Sequence, residues 1–334
     1  MTQDDSIRVL MVKESAGAFH DVRIARPAPA AGEVLVRIHA SGVNPLDTKI
    51  RAGAAAHARH PFPAILGMDL AGVVEAVGPG VTKFEAGDAV YGMAGGVGGV
   101  QGSMAQFAAV DADLLARKPP KLSMRDAAAL PLVVITAWEG LVDRAKTKAG
   151  QRVLVHGGAG GVGHVAVQIA RALGAEVFAT VSPGGFALMR SYGATPIDYT
   201  SASVEQYVDE HTGGEGFDVI YDTVGGAVLD ASFAAARTYE GHVVSCLGWG
   251  THKLAPLSFR AATYSGVFTL MPLLSGRGRA HHGRILELAA EMVESGQLTP
   301  MVDPRKFDLE SAHEAHAAVE RGASQGKIVI EIPH

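Results

Sequence analysis

The residues with the clearest chemical potential form a glycine-rich segment, 157–163, in which Gly158, Gly160 and Gly163 have the spacing G-x-G-x-x-G. Glycines allow a sharp turn and let a ligand approach main-chain N–H groups. A helix that starts at such a turn adds unpaired donors and the positive end of its dipole. An anionic pyrophosphate fits these groups. We therefore predict that a dinucleotide cofactor is held by Gly158, Gly160, Gly161, Val162 and Gly163.

The flanking sequence supplies the elements that this motif needs. Residues 151–156 form an apolar run typical of a buried strand, and from Val162 to Leu173 the apolar residues recur at helical spacing. Gly174 is a typical residue for the end of that helix. The spacing alone would be weak evidence in a chain with 41 glycines, but a strand before it and a helix after it are the context that the motif requires.

The wider pattern predicts an α/β fold with a second, β-rich part. Between residues 151 and 246, predicted strands alternate with predicted helices, which indicates the doubly wound parallel sheet of a Rossmann domain. Residues 6–110 contain short β-rich runs separated by glycine and proline, which are typical of a compact antiparallel unit.

The last quarter of the chain is predicted to be mainly helical. We expect a helix-like segment at 261–274, an amphipathic helix at 283–296 and another helix at 309–321, before a final strand. His313 and His316 lie three residues apart on the last of these helices. We expect both on a partly exposed helix face.

The composition and the net charge limit the classes of binding partner and of metal site that the sequence supports. The formal net charge is −5 without a block of like charges, so neither nucleic acid nor an anionic membrane is indicated as a partner. A single cysteine, Cys246, excludes an intramolecular disulfide and any zinc site built from a cysteine cluster. The longest apolar run, 127–138, is too short to span a bilayer. A reducing cytoplasm suits this pattern.

Six blocks of the chain together resemble the medium-chain dehydrogenase/reductase superfamily, in its zinc-free, zeta-crystallin-like branch of quinone oxidoreductases. The blocks are SGVNPLDTKIRAG (41–53), FPAILGMDLAGVVEAVGPGV (62–81), LPLVVITAWEGL (130–141), VLVHGGAGGVG (153–163), FDVIYDTVGG (217–226) and QGKIVIEI (325–332). The resemblance implies a GroES-like catalytic domain at 1–125 and 267–334, and a Rossmann domain at 126–266. It also implies an active site in the cleft between them.

Zinc enzymes that resemble this chain carry metal ligands at positions that are occupied here by Asn44, Met68 and Leu132. Zinc needs three or four nitrogen, sulfur or oxygen ligands in a tetrahedral arrangement, and an amide, a thioether and an alkyl group do not supply them. Of the expected ligand positions, only Asp69 could still coordinate a metal. We therefore predict no zinc.

Without a Lewis acid, the protein must polarise its acceptor by hydrogen bonds, which favours quinones and α,β-unsaturated carbonyls over alcohols. By the resemblance, Asn44 and Asp47 are the catalytic polar pair of the segment NPLD. The amide of Asn44 would donate to a carbonyl oxygen, and the proton would come from Asp47 or water. The alternative for Asn44 is a structural role in the turn before Pro45.

The choice between NADP and NAD depends on the segment after the second predicted strand. An acidic residue there would bind the ribose of NAD, but residues 181–184 contain no carboxylate, which favours NADP and leaves NAD as the alternative. The family's phosphate-binding lysine is also absent, with Gly185 or Phe186 near its position. The resemblance implies further cofactor contacts from Ser182, Tyr199, Thr136, Val224, Gly225, Gly248 and Lys327.

These observations predict a reductase that transfers a hydride from NADPH to a small electrophilic carbonyl substrate, a quinone or an enone. Two enzymatic alternatives are a zinc-independent alcohol dehydrogenase and an enoyl-thioester reductase of the same superfamily. The alternative from another class is a dinucleotide-binding sensor or structural protein. By the resemblance, the protein is also expected to form a homodimer.

Overall fold

The computed structural model describes residues 5–334, which form two compact units. The first unit comprises the chain up to Leu132 together with Leu270–Gly296 and Pro300–His334. The second comprises Val133–Thr269 and Gln297–Thr299. No helix in the described range combines the length and the apolar character that a membrane crossing requires.

The regular elements alternate along the chain in two distinct patterns. The strands are β1 (Ser6–Val12), β2 (Phe19–Ala25), β3 (Glu33–Gly42), β4 (Ala64–Ile65), β5 (Asp69–Val77), β6 (Ala89–Met93), β7 (Phe107–Asp111), β8 (Leu115–Arg117), β9 (Arg152–His156), β10 (Glu176–Val181), β11 (Thr195–Asp198), β12 (Val219–Asp222), β13 (His242–Ser245), β14 (Thr263–Gly266), β15 (Phe307–Asp308) and β16 (Val329–Glu331). The α-helices are α1 (Pro45–Arg51), α2 (Met124–Ala128), α3 (Pro131–Trp138), α4 (Gly161–Ala172), α5 (Phe186–Ser191), α6 (Val204–Thr212), α7 (Ala227–Ala235), α8 (Ala255–Phe259), α9 (Met271–Ser275), α10 (Arg279–Glu294) and α11 (Ala312–Glu320).

The first unit is built on mainly antiparallel sheets. One sheet has the order β2-β1-β4, and the other has the order β15-β16-β3-β5-β6-β8, with β7 also paired to β3. The long strand β3 is central, because it pairs with β5, β7 and β16. Short strands with polar turns between them produce this arrangement, and the predicted β-rich GroES-like unit is confirmed.

The second unit is a six-stranded parallel sheet with the order β11-β10-β9-β12-β13-β14. This is the doubly wound order of a dinucleotide-binding fold, in which β9 and β12 flank the point where the winding reverses. Val153, Leu154 and Val155 of the central strand are fully buried, as a strand covered on both faces requires. The predicted Rossmann sheet is confirmed.

The prediction of a helix-like segment at 261–274 is wrong. Residues Thr263–Gly266 form β14, which pairs in parallel with β13, and helix α9 (Met271–Ser275) covers only the end of the segment. Thr263 and Tyr264 favour extended backbone, and the neighbouring strand offers hydrogen bonds that an isolated helix turn would not replace. Apolar residues in this segment were therefore a misleading sign of helical periodicity.

The expected exposure of His316 is also wrong. This residue is 0% exposed, and neither ring nitrogen has a hydrogen-bond partner in the described chain, whereas the His313 side chain is 67% exposed. The His316 ring packs edge-on against Phe19, with a centroid distance of 4.9 Å. Burial, together with the charge of Arg51, lowers the pKa of His316 to about 3.

We predict that His316→Leu makes the protein more resistant to acid. Below pH ~6.5 the unfolded chain binds a proton at His316 that the folded chain binds only near pH 3. The wild type therefore loses about 1.4 kcal/mol of unfolding free energy per pH unit in that interval. Leucine removes this loss and the two unpartnered nitrogens. Urea unfolding at pH 7 and pH 5 measures the effect, with His313→Leu as the exposed control. A variant that loses as much stability as the wild type on acidification would contradict this account.

Candidate active site and cofactor site

Four polar side chains of the first unit form a buried group, here called the polar cluster: Asn44, Asp47, Asp69 and Lys327. None is more than 5% exposed. The sheet brings them together, because Gly42 at the end of β3 pairs with Asp69 on one side and with Val329 on the other. Asn44 follows Gly42 by two residues, and Lys327 precedes Val329 by two.

Hydrogen bonds hold Asn44 on two sides. Its Nδ2 donates to Oδ2 of Asp69 at 2.9 Å, and its Oδ1 accepts from the Lys327 ammonium. That ammonium also donates to the carbonyl oxygen of Val43 at 3.1 Å and lies 3.6 Å from Oδ2 of Asp69. Because an amide nitrogen carries two hydrogens, one N–H of Asn44 is not used by Asp69.

The second carboxyl group of the cluster is differently placed. Oδ2 of Asp47 accepts the backbone N–H of Asn44 at 2.8 Å, which caps the first turn of α1, while its Oδ1 has no hydrogen-bond partner among residues 5–334. Burial raises the pKa of Asp47 to about 7, against the opposing effect of the Asn44 N–H. With Asp69 and Lys327 as an ion pair, a proton on Asp47 leaves the cluster neutral.

These residues do not suit a zinc ion. Oδ1 of Asp69 accepts the backbone N–H of Leu132 at 2.9 Å, so both of its oxygens already have donors. The nearby ammonium of Lys327 would repel a metal cation. Within residues 5–334, no group of three or more histidine, cysteine, aspartate or glutamate side chains could hold a metal. The donor chemistry thus agrees with the substitutions at Asn44, Met68 and Leu132.

In the second unit, the glycine segment connects β9 to α4 as the motif requires. Gly157 has a φ of +72°, and Gly160 occupies the position before the helix. A Cβ atom on Gly163 would lie 2.1 Å from the carbonyl oxygen of Gly157, so glycine is needed for the helix to approach the turn. The first N–H groups of α4, at Gly161, Val162 and Gly163, have no acceptor within the helix. The cradle therefore fits a pyrophosphate.

Side chains beneath the segment fix its shape. Oγ1 of Thr180 accepts the N–H of Gly157 at 3.2 Å and lies 3.1 Å from Nδ1 of His156. Oγ1 of Thr223 donates to the carbonyl oxygen of His156 at 2.6 Å. Sequence reasoning did not identify these supports. Their signal is a polar residue within one position of the carboxyl end of each of the three strands β9, β10 and β12.

Two residues that were predicted to contact the adenosine end of the cofactor, Ser182 after β10 and Tyr199 after β11, lie at the surface, and their contact with a cofactor stays a prediction. Ser182 is exposed, and Tyr199 is 61% exposed. The sequence prediction overlooked Asp198, which pairs with Val181 on the neighbouring strand. The Asp198 carboxylate accepts hydrogen bonds from Thr200 and Ser201 and thereby closes its own turn.

At the other end of the predicted cofactor site, several residues lie along the carboxyl edge of the same sheet. Oγ1 of Thr136 lies 2.9 Å from Oγ1 of Thr269, and Val224 is 48% exposed. The buried Asp222 accepts the N–H groups of Val224 and Gly225 and so sets the turn after β12. Lys327 lies in the polar cluster of the first unit, and its contact with a cofactor stays a prediction.

We predict that Gly163→Ala lowers the free energy of unfolding by about 1–3 kcal/mol, because its methyl group would overlap the carbonyl of Gly157. Gly184→Ala is the matched control in the same unit, since a Cβ atom there would meet no atom of the described residues within 4 Å. Denaturant unfolding of both variants measures the difference. Equal stability of the two variants would mean that the turn is not as closely packed as described.

Comparisons with known proteins agree with both halves of this description. The family described as alcohol dehydrogenase GroES-like domain matches residues 30–120, and the family described as zinc-binding dehydrogenase matches residues 192–330. An alcohol dehydrogenase superfamily protein from Novosphingobium aromaticivorans has a similar structure, with 59% identity, a TM-score of 0.95 and coverage of 98% of this chain and 100% of that one. The quinone oxidoreductase of Coxiella burnetii is 26% identical, with a TM-score of 0.83 and coverage of 98% and 100%.

Two curated plant enzymes are similar over most of their length. The 2-methylene-furan-3-one reductase of Solanum lycopersicum is 36% identical, and the chloroplastic NADPH-dependent alkenal/one oxidoreductase of Arabidopsis thaliana is 33% identical. Each alignment covers 92% of this chain and 74% of the relative. The chain also matches the spectinabilin polyketide synthase system protein NorB of Streptomyces orinoci, at 35% identity, but spans only 14% of that protein. The chain belongs to the medium-chain dehydrogenase/reductase superfamily, in its zinc-free quinone oxidoreductase branch, and is an oxidoreductase.

Proposed function

We propose that this protein uses NADPH to reduce an α,β-unsaturated carbonyl compound or a quinone, without a metal. The observation that carries the proposal is the polar cluster, in which an ammonium and an amide are present where a zinc enzyme would hold its ion. Such a cluster is poorly suited to activate an alcohol as a metal alkoxide, because both oxygens of Asp69 already accept hydrogen bonds and the Lys327 ammonium would repel a metal ion. It can stabilise a carbonyl oxygen that gains negative charge.

Each residue of the cluster has a distinct part in this proposal. Asp69 and Lys327 hold the Asn44 amide from two sides, so its remaining N–H has a fixed direction in which to donate to the acceptor's carbonyl oxygen. Asp47 holds a proton near neutral pH and supplies it after the acceptor has been reduced. The bound cofactor would supply a hydride to the β-carbon of an enone. The proton from Asp47 would then be added to the α-carbon, which gives the saturated carbonyl compound.

The preference for NADPH rests on the end of β10. Residues 181–184 carry no carboxylate that would repel a 2′-phosphate, and Ser182 and Tyr199 offer exposed hydroxyl groups. The carboxylate on the adjacent strand, Asp198, is engaged by its own turn. The Arabidopsis relative, whose name states NADPH dependence, supports the same choice.

The direct test is an assay of purified protein with NADPH or NADH and four substrates: an enone, a benzoquinone, an enoyl thioester and, in the reverse direction, a primary alcohol. We expect NADPH oxidation with the enone or the quinone, unchanged by EDTA, and weaker activity with NADH. Reduction of the enoyl thioester alone would support the second enzymatic alternative. Cofactor binding without turnover would support a sensor, and EDTA-sensitive alcohol oxidation would refute the proposal.

We predict that Asp47→Asn lowers kcat about a hundredfold, because the amide cannot release the proton that the carboxyl group supplies. The wild-type kcat should fall as the pH rises above about 7, where Asp47 becomes ionised. The variant should lose this pH dependence. Asparagine retains an oxygen that can accept the Asn44 N–H, so the fold should persist. A normal kcat in the variant would mean that water, and not Asp47, supplies the proton.

A further inference from the structure

The loop between β13 and α8, residues 246–254, contains Gly248, which by the resemblance contacts the nicotinamide. Two glycines, Gly248 and Gly250, leave the loop little intrinsic rigidity. At its start, the backbone N–H of Leu247 donates to Oγ of Ser245. The positions of Gly248 and Trp249 therefore depend on the contacts that the rest of the loop makes.

One side of Gly248 is fixed by packing. A Cβ atom at this position would lie 2.1 Å from the hydroxyl oxygen of Tyr264 on β14, so the backbone comes directly against that phenol. The ring of Trp249 packs edge-on against Phe268 at a centroid distance of 6.2 Å. These contacts place the segment close to the sheet. A Cβ atom on Gly248 would also lie 3.7 Å from Cδ2 of Leu229 on α7, so the segment packs beside that helix, but this contact is apolar and supplies no hydrogen bond.

His252 supplies a hydrogen bond to α7. Its Nδ1 lies 3.0 Å from Oδ1 of Asp230 on α7, and its Nε2 lies 3.1 Å from the carbonyl oxygen of Trp249. The His252 side chain is 12% exposed and packs edge-on to Phe233 of the same helix. A single imidazole thus links the Trp249 backbone to α7.

The chemistry of the two partners determines the charge on this ring. A carboxylate and a carbonyl oxygen are both acceptors, and a neutral imidazole has only one N–H to offer. The imidazolium form has two and satisfies both partners. The charged groups that face the ring are Asp230 and, further away, Asp222, and both are acidic. The hydrogen bond to Asp230, and then the one to Trp249, raise the pKa of His252 above its usual value.

We infer that His252 is a positioning residue, whose imidazolium form holds the Gly248–Trp249 segment in the arrangement that binds the nicotinamide half of the cofactor. Loss of its proton breaks one of the two bonds and releases the segment from α7. Cofactor affinity should therefore fall as His252 titrates. This inference rests on the proposed function only in placing the cofactor at Gly248.

The first test needs no cofactor. The chain has two tryptophans, so the emission of Trp249 is obtained as the difference between wild type and Trp249→Phe, followed from pH 5 to pH 9. We expect a single transition with a midpoint above 6.5. It should be absent in His252→Gln and move to lower pH in Asp230→Asn. A Trp249 emission that does not change with pH, or that titrates equally in His252→Gln, would contradict the proposal that His252 holds the Gly248–Trp249 segment.

The second test measures the dissociation constant of NADPH by fluorescence titration at pH 6.5 and pH 8.5. We expect the wild type to lose about tenfold more affinity over this interval than His252→Gln, in which Asp47 and the cofactor's own phosphate still titrate but position 252 does not. Equal losses in both proteins would overturn the link to the cofactor. If NADPH binds at neither pH but the Trp249 emission still titrates, the proposed cofactor is wrong, whereas the role of His252 in holding the segment is supported.

Discussion

The ammonium of Lys327 among the oxygens of Val43, Asn44 and Asp69 is the interaction on which the predicted catalytic chemistry depends. Burial raises the pKa of Asp69 and lowers that of Lys327, and the attraction between the two groups opposes both shifts. A buried ion pair is tolerated when hydrogen bonds satisfy its remaining atoms. Here the Leu132 N–H and the Asn44 amide complete the carboxylate, and the pair in turn fixes that amide.

The same design explains why an internal cation and a metal exclude each other at this place. A zinc enzyme would need ligands that are deprotonated and free, and an ammonium nearby would weaken every one of them. In this chain the positive charge is the ammonium of Lys327, which lies just before β16. It pairs with the Asp69 carboxylate, so that carboxylate needs no metal ion to balance its charge. A proton on Asp47, whose pKa burial raises to about 7, would complete the charge balance from the first turn of α1.

The unit that is predicted to bind the cofactor follows a different principle, in which backbone N–H groups would contact the ligand and side chains support the backbone. The Gly157–Gly163 turn offers N–H groups, whereas His156, Thr180 and Thr223 only hold the turn in place. Asp222 plays the same supporting part for the turn after β12. Alanine at position 163 would disturb this half through sterics alone, since it changes no charge and removes no donor.

The sequence by itself determined the elements whose periodicity is unambiguous: the strand–glycine–helix unit and the alternation that gives the parallel sheet. The positions at which zinc ligands of similar enzymes are replaced followed from the family resemblance. Sequence reasoning failed where a short apolar segment could be either helix or strand, as at β14, because pairing with β13 decided the outcome. It also failed at His316, since a histidine's burial depends on what packs over it and Phe19 is almost 300 residues away.

Only the tertiary structure decided how the polar residues combine. Asn44, Asp69 and Lys327 could each be named from motifs, but the sequence assigned Lys327 to the cofactor and left Asp69 as a lone ligand candidate. Strand pairing on both sides of Gly42 joins them into one neutralised cluster. The physical reason is that hydrogen-bond partners and charge balance arise from contacts between distant segments, and no local pattern records them.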